Sequence, residues 1–111
     1  MQLHLWLQRS APPLELTGKA RSIAIAILAY LVKHPDAKDS LAGIKLWWID
    51  DPDKCSDQEL RWAAEALVER GLLRTWQASP GSVVFGPSQK FLEAPEALLS
   101  ELESRRVNDK Q

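Results

Sequence analysis

The chain has 111 residues, 45% hydrophobic and 26% charged, which fits one domain with a single core and excludes disordered, collagen-like and coiled-coil compositions. Fourteen basic and fifteen acidic side chains leave a net charge of −1, so no global field draws the protein to nucleic acid or to an anionic membrane. The longest apolar run, Ile23 to Val32, has ten residues, whereas a bilayer-spanning helix needs roughly 20.

The first residues, Met1-Gln2-Leu3-His4, lack the basic start and apolar stretch of a secretory signal, so a cytoplasmic location is expected. Leu3, Leu5 and Leu7 alternate with His4, Trp6 and Gln8 in the period-two pattern of a strand. Pro12-Pro13 turns the chain, Leu14-Glu15-Leu16 offers a returning strand, and residues 2 to 17 read as a hairpin.

Lys19 to His34 has no Gly or Pro, is apolar around nearly its whole circumference, and reads as a central helix stopped by Pro35. A second helix is expected from a cap at Asp36 or Asp39 to about Ile49, with Leu41, Ile44 and Trp48 as its apolar stripe. Ser56-Asp57-Gln58-Glu59 spells a capping box for a third helix, which runs to Arg70 and ends at Gly71. Leu73 to Gln77 and Val83 to Phe85 flank a turn composition, Ala78-Ser79-Pro80-Gly81-Ser82, and read as a second hairpin. Pro95 suits the first turn of a last helix with Leu98, Leu99 and Leu102 on a narrow apolar face. The domain is read as residues 1–104, with 105–111 a polar tail.

The order strand, helix, helix, capped helix ending in Val68-Glu69-Arg70-Gly71-Leu72-Leu73, then hairpin, resembles the winged helix-turn-helix superfamily, the match covering residues 19 to 86. Leu3 to Leu16, Ile27-Leu28-Ala29-Tyr30-Leu31, Leu46-Trp47 and Leu60-Arg61-Trp62-Ala63 are loosely similar to the DNA-binding domains of response-regulator and antibiotic-regulatory-type activators. The resemblance implies an α+β winged-helix fold: a three-helix core, an N-terminal β-element, a C-terminal hairpin wing and an extra C-terminal helix. It also implies that helix 56–70 is the recognition helix, hairpin 73–85 the wing, and DNA binding in transcription regulation the activity.

The residues of that helix point another way. Recognition helices present Arg, Lys, Asn or Gln to the major groove. At about 100° per residue, with Leu60, Ala64, Leu67 and Gly71 inward, the outer face carries Gln58, Trp62, Glu65 and Glu69, with Arg61 to one side. Two carboxylates there repel phosphate, whereas a Trp beside a carboxylate suits a protein partner. Two readings therefore stand. One is a non-enzymatic module working through protein contacts at Trp62, Glu65, Glu69 and Gln58, as an adaptor, scaffold or assembly component. The other is a DNA-binding regulator using Lys38, Lys45, Lys54, Arg61 and Arg74, with Lys19 and Arg21 extending the patch.

Trp62 has an alternative place beneath the C-terminal helix, and Trp6 and Trp76 are placed either exposed on strand faces or against each other. A stripe of Leu98, Leu99 and Leu102 without an intrachain partner would support a homodimer. Two histidines, the single Cys55 and the absence of a glycine-rich phosphate loop argue against an enzyme, a metal or a cofactor. Asp50, Asp51 and Asp53 begin like a calcium loop, but Pro52 and the missing Gly and distal Glu break the pattern.

Overall fold

A run of sixteen residues with neither Gly nor Pro beyond its first position forms α1, Gly18–Lys33, and Gly18 itself enters at φ 56°. Ile23, Ala24, Ile27, Leu28 and Leu31 recur at helical spacing and are buried at 4% exposure or less, so α1 is the central element. Ala24 of α1 and Ala63 and Ala64 of the third helix are fully buried, and the two helices pack against each other. The computed structural model describes Leu16 and residues 18–109, with side chains described as far as Glu103. The hairpin read over residues 2 to 17, and Trp6 with it, lies outside the described residues apart from Leu16, which is buried.

Beyond Pro35 the chain makes one antiparallel bridge, Asp39 to Phe85, with N–H to carbonyl bonds of 3.0 and 2.7 Å. Ser40, not Asp36 or Asp39, caps the next helix: its Oγ accepts from the Gly43 N–H at 3.2 Å. Asp39 instead turns its carboxylate to the Ser40 N–H at 2.8 Å, in space that a β-carbon at Gly43 would occupy. Helix α2, Leu41–Gly43, continues as a π-helical turn, Ile44–Trp48. That wider turn buries both Ile44 and Trp48 and carries Leu46 and Trp47 outward. Trp48 stacks on Tyr30 of α1, with ring centroids 4.8 Å apart and planes 10° from parallel.

Helix α3, Asp57–Glu69, starts at the expected capping box, with Ser56 Oγ accepting from Glu59 N–H at 3.0 Å and Glu59 Oε1 accepting from Ser56 N–H at 3.1 Å. Its end is equally local. Gly71 at φ 77° donates to the Val68 carbonyl and Leu72 to the Leu67 carbonyl, the paired bonds of a Schellman motif, and Leu72 re-enters the core. Strands β1, Leu73–Ser79, and β2, Ser82–Pro87, pair antiparallel, with Gly81 at φ 80° in the tip. The result is an α+β domain, mostly helical, with a two-stranded hairpin.

A short helix not read from the sequence follows: α4, Gln89–Glu93, capped by Ser88. Ser88 also donates to the Gly71 carbonyl at 2.6 Å, and α4 buries Phe91 completely. Helix α5, Pro95–Asp109, begins at Pro95 as expected and runs on into the segment read as a polar tail. It packs against α1: Leu102 is buried, Leu98 and Leu99 lie against the core, and Arg21, 8% exposed, donates to the Leu102 carbonyl at 3.2 Å. Arg21 is therefore removed from the surface patch to which the sequence reading assigned it. The leucine stripe that motivated a dimer finds its partner within the same chain.

Candidate functional site

Because Leu60, Ala63, Ala64 and Leu67 are drawn into the core, α3 presents Gln58, Arg61, Trp62, Glu65 and Glu69 outward, all exposed. Gln58, Trp62, Glu65 and Glu69 follow at intervals of four, three and four residues, so their side chains form one row along the helix. Trp62 keeps 49% of its surface exposed. It does not lie beneath the C-terminal helix, which covers α1 instead.

Leu46 and Trp47, at 63% and 71% exposure, are the most exposed large apolar side chains described, and the sequence reading, which quoted them only for a family resemblance, did not place them among the binding candidates. Two adjacent tryptophans were a signal. A helical turn can bury only one of them, and the π-winding chose Trp48. The turn is tied to the start of α3 by Lys45, whose Nζ lies 2.9 Å from Asp57 Oδ1. That hydrogen bond is the largest cause raising the Lys45 pKa above its usual 10.5.

The five cations considered for DNA occupy separate settings. Lys45 is engaged by Asp57, and Lys54 lies 3.8 Å from Asp51. Lys19, added to them as an extension, donates to the Lys54 carbonyl at 2.5 Å. Arg61 is exposed on the flank of α3, with no ion pair among the described residues. Lys38 and Arg74, distant in sequence, are brought together: Lys38 Nζ lies 4.6 Å and Arg74 Cζ 4.5 Å from the centroid of the Trp76 ring. Trp76 is half-buried against the backbone of Gly86.

No protein family, characterised protein or solved structure matches the chain.

Other chemistry is sparse. Cys55 is buried, and burial raises its thiol pKa above the ordinary 9.0, the reverse of what a nucleophilic thiolate needs. Among the described residues no group of three or more His, Cys, Asp or Glu is placed to hold a metal ion. A depression of about 250 Å³ between α4 and α5 is lined by Arg70, Leu72, Lys90, Leu98, Glu101 and Leu102. No described helix is long and apolar enough to cross a membrane.

Proposed function

We propose that the protein is a cytosolic winged-helix module that acts through protein contacts, as an adaptor, scaffold or assembly component, rather than as an enzyme. The winged-helix reading is supported by the order of elements: α1, a single-bridge strand at Asp39, α2, α3, and a hairpin whose second strand receives that bridge. Fold type alone does not decide the ligand. The observation that carries the choice is the outer row of α3, where a half-exposed Trp62 is followed by the carboxylates of Glu65 and Glu69. Tryptophan buries a large rigid surface at small entropic cost, and neighbouring carboxylates select a basic partner and repel phosphate.

The test is affinity capture with wild-type protein and with the Trp62→Ala, Glu65→Lys double variant, after circular dichroism has shown equal folding. Proteins retained by the wild type and lost by the variant are the expected result. Identical capture removes the basis of the reading.

A DNA-binding regulator is the second reading, favoured by exposed Arg61 on α3 and by Lys38 and Arg74 at the hairpin. Three cations would release few counterions, giving a slope of log affinity against log salt of about −3 at most. Anisotropy of duplex DNA across a salt series measures it. Binding that rises steeply at low salt and is lost in Arg61→Ala with Arg74→Ala would favour the regulator over the adaptor.

A further inference from the structure

Two cations share one tryptophan at the base of the hairpin. Arg74 and Trp76 alternate along β1 and project on the same side of the hairpin, while Lys38 reaches them from the segment between α1 and α2. Gly86 makes the meeting possible: a β-carbon there would lie 2.8 Å from both Lys38 Cγ and Trp76 Cζ3. The two charges are no farther apart than the sum of their distances to the ring, and both side chains are exposed. Among the described residues, neither forms an ion pair with a carboxylate. Two like charges gathered at one ring attract an anionic group.

The chemistry of the site favours carboxylates over nucleic acid. A ring engaged by two cations is not available as a platform for stacking bases. A guanidinium held over an aromatic ring keeps its in-plane N–H donors directed outward, the geometry that binds a carboxylate with two hydrogen bonds.

We propose that this cluster docks the outer face of α3 from a second copy of the chain, Glu65 and Glu69 meeting Arg74 and Lys38. This rests on the reading of α3 as a protein-binding face and names its partner. Glu65 and Glu69 are one helical turn apart, with β-carbons roughly 6 Å from each other, a spacing within the reach of two cations gathered at one indole. Trp62, one turn earlier on the same row, supplies apolar area beside the charges. The signs are complementary, and the net charge of −1 puts no appreciable repulsion between whole molecules.

Sedimentation velocity on the full chain tests the proposal. The wild type at low salt should exceed its 12.5 kDa monomer mass increasingly with concentration, and should return toward monomer at about 0.5 M salt. Lys38→Glu with Arg74→Glu, and separately Glu65→Lys with Glu69→Lys, should each weaken association at least about tenfold. Mixed in equal amounts, the two reversed proteins should associate again, because each then meets a surface of opposite sign. A wild type that stays monomeric, reversed variants that assemble as well as the wild type, or a mixture that stays monomeric overturns it. Should a reversed variant fail to fold, the wild-type series and the neutral Lys38→Gln, Arg74→Gln variant decide. A monomeric wild type that still loses captured protein on Trp62→Ala, Glu65→Lys substitution would sink self-association and keep the adaptor reading. A monomeric wild type that binds DNA only while Lys38 and Arg74 are intact would assign the cluster to nucleic acid instead.

Discussion

Gly86→Ala perturbs the Trp76 cluster without changing any charge. Gly86 does not have positive φ, so an alanine there meets no backbone strain and the effect comes from space alone. The new methyl would lie 2.8 Å from Lys38 Cγ, 2.8 Å from Trp76 Cζ3 and 3.1 Å from the Ala37 carbonyl oxygen. The lysine stem can swing away at little cost, but the indole is a rigid plate and the carbonyl belongs to the backbone leading into the Asp39 bridge. Forcing a methyl into such a contact costs about 1–3 kcal/mol. The reduced freedom of the unfolded chain returns about 0.4–1 kcal/mol. A net loss of about 1 kcal/mol lowers Tm by roughly 4–8 °C for a domain of this size. Thermal denaturation followed by circular dichroism reads the loss. The indole N–H resonance of Trp76, assigned with Trp76→Phe, reads the displacement, and self-association should weaken in parallel. An unchanged Tm together with an unmoved Trp76 resonance would refute the packing argument, and with it the role of Gly86 in bringing Lys38 to the ring.

Ser56→Ala removes the Oγ that accepts from the Glu59 N–H, leaving the bond from the residue-56 N–H to Glu59 in place, and should cost about 1 kcal/mol in urea denaturation, while Glu59→Gln, which keeps an acceptor, should cost much less. Phe91→Ala empties a fully buried site and should cost about 3–5 kcal/mol, a large share of the roughly 5–15 kcal/mol that stabilises a domain, so its urea midpoint should fall sharply. Stability should fall as pH rises past 9.0, because burial holds the Cys55 proton in the folded state while the unfolded thiol releases its own first. Comparing wild type with Cys55→Ala by denaturation at pH values from about 8 to 10.5 reads this effect together with the weaker coulombic coupling between Cys55 and Lys45. A stability difference that stays constant with pH would refute it.

What the sequence disclosed was what neighbouring residues decide. The start of α3 follows from Ser56 and Glu59, three positions apart, and its end from Gly71, whose conformation a glycine readily adopts. Alternation along β1 likewise puts Arg74 and Trp76 on one side. The hidden features needed distant partners. Nothing near Asp39 announces a bridge to Phe85, and the cap moved to Ser40 because Asp39 was already turned toward the Ser40 N–H. Lys38 reaches Trp76 only after α1, α2 and the hairpin are in place. Phe91 was missed for another reason: a five-residue helix is too short for periodicity, although Ser88 three residues earlier was a legible cap. The row on α3 was legible because one helix contains it, whereas the exposure of Trp47 depended on a π-turn that no local rule predicts.

Charge distribution along the chain is a poor guide to charge on the surface, and the first half shows why. Residues 1 to 49 hold six Lys or Arg against three acids, while residues 50 to 111 hold eight against twelve. On that count alone, helices 1 and 2 should form a basic face. Folding redirects much of the excess inward or sideways: Arg21 to the Leu102 carbonyl, Lys19 to the Lys54 carbonyl, and Lys45 to Asp57. Of the described cations in that half, Lys38 is the one that joins another cation at an aromatic ring. The acids at the end of α3 undergo no such redirection, since Glu65 and Glu69 point outward and neither makes an ion pair among the described residues. Among the described residues, the fold thus exposes a pair of acids on the outer row of α3 and a pair of cations at the hairpin. Surfaces so arranged discriminate by short-range contact rather than by long-range field, which is what the proposed protein-binding role requires.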